Sequence, residues 1–214
     1  MRWSLHPIRP VLLACLLALP AAATPAAPAR DNGAASRLSA TERDILLSGR
    51  IVSRPSRLKT TNGEYVGGVS YMVVRATPEE VLAALQDVSS LPDALPQTKS
   101  AKLLDTAGNR ARVELVQGGK MIDARYTVHI ERVPGKDELK FWMDHSRQHD
   151  IKDVWGFFRV QPFGKGQTLL TVGAMLDLGP GLARMLFEDR IQGMILRAPR
   201  KIRDYIEPRA LARN

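Results

Sequence analysis

Hydrophobic and polar residues alternate along six consecutive segments in the second half of the chain. In the clearest segment, 121–133, Tyr126 and Val128 alternate with Thr127 and His129. A period of two is typical of a strand with one buried and one exposed face. Turns that contain Gly or Pro separate the segments, so we predict an antiparallel meander. The six predicted strands are roughly 99–105, 110–118, 121–133, 137–144, 154–163 and 167–178.

One strand and two short helices are predicted before the meander. Residues 65–76 are strand-like, and Thr77 begins a sequence typical of a helix N-terminus. Thr77 can cap the helix, Pro78 needs no N–H partner in the first turn, and Glu80 completes a capping box. A second short helix or turn should end near Pro96.

The chain ends with apolar residues at helical spacing between Gly181 and about Glu207. Pro199 lies inside this segment, where it should kink the helix or leave the carbonyl of Ile195 unpaired. A helix with one apolar face packs against another apolar surface. We therefore predict an α+β fold of about seven antiparallel strands, two short helices and one long C-terminal helix. The apolar face consists of Phe187, Ile191, Met194, Ile195, Ala198, Ile202 and Ile206.

The first 23 residues have the pattern of an export signal. Arg2 and Arg9 precede the apolar run 11–19, and Ala21 and Ala23 provide the small residues of a cleavage site. The run is too short to span the roughly 30 Å hydrocarbon layer of a membrane. The residues before Cys15 resemble a lipoprotein cleavage site, but the apolar run continues beyond it, which disfavours a lipid anchor. We expect an exported protein, periplasmic in a Gram-negative bacterium.

The rest of the chain divides into three parts. Residues 24–37 are rich in Pro, Ala, Gly and Ser, as expected of a flexible linker. Residues 38–63 should form a short helix, capped by Ser39 and Glu42, and then an irregular arm. Residues 64–208 contain the predicted strands and the long helix and form the main domain.

Composition is that of an ordinary globular protein with an excess of basic residues. Of 214 residues, 31 are Lys or Arg and 22 are Asp or Glu, which gives a formal charge of +9. Signal cleavage would remove the only cysteine, Cys15, which excludes a disulfide framework and a thiol nucleophile. A basic exported protein should meet an anionic membrane surface rather than nucleic acid. Solubility is the alternative reason for the charge.

Four motifs resemble those of the START-like superfamily, also called SRPBCC, whose helix-grip fold wraps a curved sheet around a long C-terminal helix. The resemblance covers residues 64–207. The motifs are similar to those of the branch that includes polyketide cyclases, dehydrases and coenzyme Q-binding proteins. The resemblance implies an apolar cavity between sheet and helix, which relatives use for lipids, quinones, sterols or polyketides, as carriers or as enzymes. The motifs are Val74-x-Ala76-x-Pro78-Glu79-Glu80-Val81, Asp87-Val88-x-x-Leu91-Pro92-x-x-Leu95-Pro96, Trp155-Gly156-x-Phe158-x-Val160, and Gly166-x-Thr168-Leu169-Leu170 with Asp177-x-Gly179-Pro180.

The alternation also predicts which side chains would line such a cavity. They are almost all apolar, and Gln117 and Tyr126 are the polar exceptions, able to bond the head group of a ligand. The alternative is a filled core with Gln117 at a strand end. The predicted ligand-contacting residues are Val113, Leu115, Gln117, Tyr126, Val128, Phe141, Met143, Phe158, Val172, Phe187, Ile191, Met194 and Ile195.

Three aromatic residues, Trp142, Trp155 and Phe157, fall on the opposite, outer face of the predicted sheet. Aromatic side chains on a solvated face need a cover. We expect the arm at 38–62 to fold over them. The alternative is a patch that docks on a membrane or a partner protein.

Candidate acid–base groups concentrate between two predicted strands, in the segment 144–153. His149 and Asp150, with Tyr126 in the cavity, are the candidate proton-transfer groups of an enzyme. His145 and His149 would share a face only in a helix, and we expect a loop that caps the cavity entrance, so we predict no metal site and no cofactor. Arg147 or Arg159 could meet an anionic head group there.

Together these patterns predict an exported, monomeric protein that binds a lipid, quinone or sterol-like molecule in an apolar cavity and carries it. This interpretation favours a non-catalytic protein that contacts anionic membranes. One alternative is a cyclase or dehydratase-type enzyme that uses the same cavity. A second is a protein that docks on another envelope component through its outer aromatics.

Overall fold

The computed structural model describes residues 38–119 and 122–212, which form one antiparallel sheet covered by helices. The sheet has eight strands in the order β1-β2-β8-β7-β6-β5-β4-β3, and β3 to β8 form the predicted meander. This confirms the α+β helix-grip fold. The strands are β1 (Val52–Lys59), β2 (Glu64–Val74), β3 (Thr98–Ala107), β4 (Arg110–Gly118), β5 (Asp123–Arg132), β6 (Glu138–Met143), β7 (Asp153–Pro162) and β8 (Thr168–Asp177). The helices are α1 (Ala40–Leu47), α2 (Pro78–Gln86), α3 (Leu91–Ala94), α4 (Leu182–Leu196) and α5 (Ala198–Leu211).

Strand β1 is one more strand than we predicted, because the expected irregular arm pairs with β2 along its whole length, from Val52 opposite Tyr71 to Lys59 opposite Glu64. Every residue of β1 after Val52 is exposed. An edge strand with no buried face has no hydrophobic alternation to reveal it. Its Pro55 is also tolerated only at such an edge.

Both predicted capping boxes are present. Thr77 Oγ1 accepts from the Glu80 N–H at 3.3 Å, and the Glu80 carboxylate accepts from the Thr77 N–H at 2.9 Å. The corresponding bonds between Ser39 and Glu42 measure 3.2 and 2.8 Å. These bonds satisfy N–H groups that a helix start leaves free.

The long C-terminal helix is divided into α4 and α5 at Arg197, two residues before Pro199. The ring of Pro199 cannot coexist with an unbroken helical turn over the carbonyl of Ile195, which explains the position of the break. The predicted kink is therefore confirmed as a full interruption. Helix α5 extends to Leu211, four residues beyond the expected end.

The two halves of this segment join different parts of the core on the inner face of the sheet. Helix α5 packs with α2 and the inner residues of β2, β7 and β8, whereas the end of α4 joins residues of β4, β5 and β7. On the outer face, α1 covers Tyr71, Val73 and Leu169. Within the described ranges, none of the helices combines the length and apolar composition that crossing a bilayer requires.

Candidate functional site

A cavity of about 100 Å³ lies between the inner face of the sheet and the C-terminal helices. No charged residue belongs to its described lining, and Gln117 and Tyr126 are its polar members. Apolar walls with a small number of polar groups are typical of sites for hydrophobic ligands. The lining residues are Leu85, Leu91, Leu95, Pro96, Leu115, Gln117, Tyr126, Val128, Ile130, Phe141, Val154, Phe158, Val172, Ala174, Leu176, Met194, Ile195 and Ala198.

The structure places most of the predicted ligand-contacting residues in this lining. Val113 and Met143 lie behind it, fully buried in the same cluster, and Ile191 packs against that cluster from α4. Phe187, one turn earlier on α4, is half-buried and outside the lining. The first part of α4 instead runs along β1 and β2, where Arg57 of β1 pairs with Glu188 at 3.4 Å. The predicted members that do line the cavity are Leu115, Gln117, Tyr126, Val128, Phe141, Phe158, Val172, Met194 and Ile195.

Sequence reasoning missed the wall contributed by α2, α3 and the two residues after α3. Leu85, Leu91, Leu95 and Pro96 all line the cavity. The alternation of the meander carries no information about these helices. The available signal was the Leu-Pro-x-x-Leu-Pro motif, whose first Leu-Pro begins α3 and whose second Leu-Pro directly follows it.

Gln117 and Tyr126 bond each other rather than facing the cavity as two separate polar groups. The Tyr126 hydroxyl donates to Gln117 Oε1, and Gln117 Nε2 donates to Thr98 Oγ1 at 2.7 Å and to the Pro96 carbonyl at 3.5 Å. Burial raises the pKa of Tyr126, because an apolar surrounding disfavours the phenolate. The polar part of the cavity is therefore neutral.

The shape of the cavity wall depends on one glycine. Phe141 of β6 lies opposite Gly156 of β7, and a β-carbon on Gly156 would collide with the Gly173 carbonyl oxygen of β8 and with the Phe141 ring. The ring also packs against Phe158, with 5.4 Å between the ring centroids. Phe141 can therefore keep this position in the cavity wall only while residue 156 has no side chain.

Helix α4 is held against the sheet edge by polar contacts. Gln192 Nε2 donates to the carbonyls of Ser56 and Gly67 at 3.1 and 3.0 Å. Arg184 donates to the Glu64 carbonyl at 2.7 Å and lies 3.5 Å from the buried Asp177 carboxylate. These polar contacts hold α4 at the sheet edge.

The segment between β6 and β7 is a loop, as predicted, and its polar groups are engaged with one another. His149 Nδ1 lies 2.7 Å from the Ile151 carbonyl, and the Asp150 carboxylate accepts from the Arg125 N–H at 2.8 Å. His145 Nε2 lies 3.3 Å from the Asp153 carboxylate. Of the three candidate proton-transfer groups, Tyr126 lines the cavity, and no residue of this described loop does.

Neither of the two candidate basic residues, Arg147 and Arg159, lines the cavity. Arg159, which the alternation assigns to the same face as Phe157, lies on the outer face, 2.6 Å from the Glu138 carboxylate and over the Phe157 ring, rather than beside the cavity. Arg147 is exposed in the loop. Among the described residues, no group of three His, Cys, Asp or Glu side chains is arranged to hold a metal ion.

The expectation that the arm covers the outer aromatics is wrong, because the arm forms β1 at the sheet edge and α1 covers a different part of the outer face. Trp155 is 40% exposed. Trp142 is stacked on His129 at 5.4 Å and lies beneath the guanidinium of Arg110 at 5.0 Å. Contacts with polar and cationic neighbours on the same face therefore replace the expected cover.

Tyr65 extends this aromatic group from β2. Its ring meets Trp155 edge-on at 6.2 Å, and its hydroxyl donates to the Asp153 carboxylate at 2.7 Å. The hydrogen bond to Asp153 and partial burial raise the pKa of Tyr65 to about 12. Trp155 thus contacts Tyr65, and it lies opposite Trp142 in the register of β6 against β7.

Comparisons with known proteins agree with the fold. The model of the family described as "Polyketide cyclase / dehydrase and lipid transport" matches residues 74–198. No match was found among curated proteins.

Several solved structures have the same fold at low sequence identity. TTHA0849 from Thermus thermophilus is 18% identical, with a TM-score of 0.58, and the match covers 68% of this chain and 97% of that chain. The STAR-related lipid transfer protein from Xanthomonas axonopodis is 11% identical, with a TM-score of 0.57 and coverage of 71% and 98%. The Zhui aromatase/cyclase from Streptomyces sp. R1128 is 13% identical, with a TM-score of 0.56 and coverage of 76% and 96%.

These neighbours include a lipid transfer protein and a cyclase, so the shared fold serves both binding and catalysis. The family model covers more than half of the chain, including α2, the whole meander and α4. The same elements build the cavity. This chain therefore belongs to the polyketide cyclase/dehydrase and lipid transport family and has the START-like helix-grip fold.

Proposed function

We propose that this protein binds a hydrophobic small molecule in the cavity between the sheet and the C-terminal helices, and carries it as an exported monomer. The observation that carries the proposal is the uncharged, almost wholly apolar lining of that cavity. The lipid transport in the family description and the lipid transfer protein among the neighbours support it. The basic and apolar pattern of residues 1–23, which lie outside the described residues, supports export.

Binding without catalysis is energetically sufficient for such a role. Burial of about 300 Å² of apolar ligand surface contributes roughly 7 kcal/mol before entropic costs, at about 25 cal/mol per Å². The cavity as it stands is smaller than the roughly 300–1,000 Å³ of typical ligand pockets. A ligand of lipid size therefore requires the cavity to widen.

Helix α4 is the element best suited to move. Its described polar contacts with β1 lie near solvent, so water can replace them when the helix lifts. The interruption at Arg197 separates it from α5, which stays in the core. Exposed arginines at 190, 197 and 200 support contact with anionic head groups while the cavity is open.

The first experiment is native mass spectrometry of the protein purified from its own cell envelope, followed by solvent extraction of whatever co-purifies. The expected result is a stoichiometric hydrophobic molecule. A protein that remains empty even after incubation with membrane extract would contradict the proposal.

A cyclase or dehydratase-type enzyme is the second candidate, favoured by the Tyr126 hydroxyl inside the cavity and by the cyclase among the neighbours. Under this alternative the bound molecule is converted, and Tyr126→Phe stops conversion while retention persists. Under the carrier proposal the extracted molecule is recovered unchanged after incubation with the wild-type protein. His149→Ala is the matched control, because His149 lies outside the lining.

A further inference from the structure

Gln117 and Tyr126, the polar pair in the cavity, already donate all their side-chain hydrogen bonds to other groups of the protein. Gln117 Nε2 carries two N–H groups, and its two partners are Thr98 Oγ1 at 2.7 Å and the Pro96 carbonyl at 3.5 Å. A carbonyl can only accept a hydrogen bond, so the Pro96 oxygen orients the amide with its nitrogen toward Pro96. This orientation directs Gln117 Oε1 toward Tyr126.

The Tyr126 hydroxyl has no proton left to donate to a ligand, since its single proton is donated to Gln117 Oε1. A phenol oxygen that donates its proton keeps lone pairs that can accept. No described residue donates a hydrogen bond to this oxygen. Burial disfavours loss of the proton, so the phenol stays neutral.

The cavity therefore presents free acceptors, on Tyr126 and Gln117, and no free donor. A ligand hydroxyl can donate to one of these oxygens. A ketone or quinone oxygen would instead face lone pairs and lose its hydrogen bonds to water, which is unfavourable in an apolar site. A carboxylate or phosphate would in addition find no opposite charge in the described lining.

We infer that the cavity selects hydrophobic alcohols over the corresponding carbonyl compounds, because the Tyr126–Gln117–Thr98 chain leaves only acceptors for the ligand. This inference rests on the proposed binding function and narrows it. Of the ligand kinds that the sequence suggested, it favours a sterol-like or other hydroxylated hydrophobe and disfavours a quinone.

The test compares three probes that differ at one carbon: decan-2-ol, decan-2-one and decane. Each probe competes with a fluorescent apolar dye for the full chain, and the measured quantity is the ratio of the two dissociation constants, ketone over alcohol. The reference is the double variant Gln117→Leu/Tyr126→Phe, which removes both polar groups and cancels differences in probe hydration. The ratio for the wild-type protein should exceed that reference by about tenfold, equivalent to about 1.4 kcal/mol.

Two single variants give opposite results under this inference. Gln117→Leu releases the Tyr126 proton, which can then be donated to a carbonyl, so the ratio should fall at least to that of the double variant. Tyr126→Phe leaves Gln117 Oε1 as an acceptor, so the alcohol preference should persist. Decane binding reports in each variant that the cavity is intact.

The possible outcomes separate the two proposals. Equal ratios in the wild-type protein and the double variant, or a preference of the wild-type protein for the ketone, would overturn the alcohol inference and leave the binding function standing. Failure of all three probes to displace the dye from the wild-type protein would overturn both.

Discussion

Helices α4 and α5 share one C-terminal segment but are held in place in opposite ways. In α5, Ile202, Ile206 and Ala210 are buried against α2 and the sheet. Of the α4 side chains that the structure describes, Ile195 alone is buried, and Leu186 is 69% exposed. Helix α4 depends on hydrogen bonds and ion pairs to the sheet edge.

This difference separates stability from access to the cavity. Buried apolar contacts cannot be exchanged for contacts with water, so α5 opens only when the domain unfolds. Polar contacts near solvent are replaced by water at little cost. Helix α4 also supplies Met194 and Ile195 to the cavity lining, whereas α5 supplies Ala198.

The largest contrast is expected for stability. Ile202→Ala removes a fully buried side chain of α5 and should lower the free energy of unfolding by about 3–4 kcal/mol. Ile191→Ala, the matched change on α4, removes a half-buried side chain and should cost about 1 kcal/mol. Urea unfolding measures both, and equal losses would show that the two helices are anchored alike.

Ligand retention should depend on α4 more strongly than stability does. Met194→Trp places a larger side chain in the cavity wall and should reduce retained ligand at least tenfold, with the protein still folded. Leu186→Trp makes the same enlargement at an exposed position of the same helix and should retain ligand normally. Native mass spectrometry measures the bound fraction, and retention by the Met194 variant would argue against the cavity as the binding site.

Ligand exchange should respond to the polar attachment of α4. Gln192→Ala removes two hydrogen bonds to the sheet edge and should accelerate ligand release about two- to fivefold. Because these bonds are lost on opening and on unfolding alike, the free energy of unfolding should fall by a similar amount, about 0.5–1 kcal/mol. Leu186→Ala, an exposed change on the same helix, is the control for stopped-flow release measurements. An unchanged release rate would mean that another element controls access.

The smallest effect concerns the loop between β6 and β7, beside the cavity-bearing part of the core. The Ser146 hydroxyl and N–H donate to Asp144 and lower the pKa of its carboxyl below the ordinary value of 3.8. The contact thus stabilises the folded loop above pH 3.8, and this contribution is lost as the pH falls through the lower folded pKa. The amide shift of Ser146 in an NMR titration should have its midpoint below pH 3.8. A midpoint at or above that value, or the same titration in Asp144→Asn, would contradict the assignment.

The elements that the sequence predicted well are those with a local signal. Alternation predicted the meander, and two capping boxes predicted the starts of α1 and α2. Strand β1 was not predicted, because an exposed edge strand has no hydrophobic alternation and is defined only by its pairing with β2. The break near Pro199 was predicted because the constraint of a proline is local.

The cavity was predicted less completely, because its geometry depends on contacts between elements distant in sequence. Alternation assigned Gln117 and Tyr126 to the inner face, but their bond depends on the register of β4 against β5, in which Leu115 lies opposite Tyr126. Alternation specifies faces and leaves open which residues become neighbours. The α2–α3 wall was missed for the same reason.

Gly156 is excluded from carrying a side chain by two different neighbours. A methyl group there would collide with the Gly173 carbonyl oxygen of β8 as well as with the Phe141 ring. A smaller residue at 141 would relieve only the contact with the ring, because the Gly173 oxygen belongs to the backbone of the sheet. Among homologues, glycine should therefore be retained at 156 whatever residue lies at 141, while changes at 141 alter the outline of the cavity and the ligands that fit it.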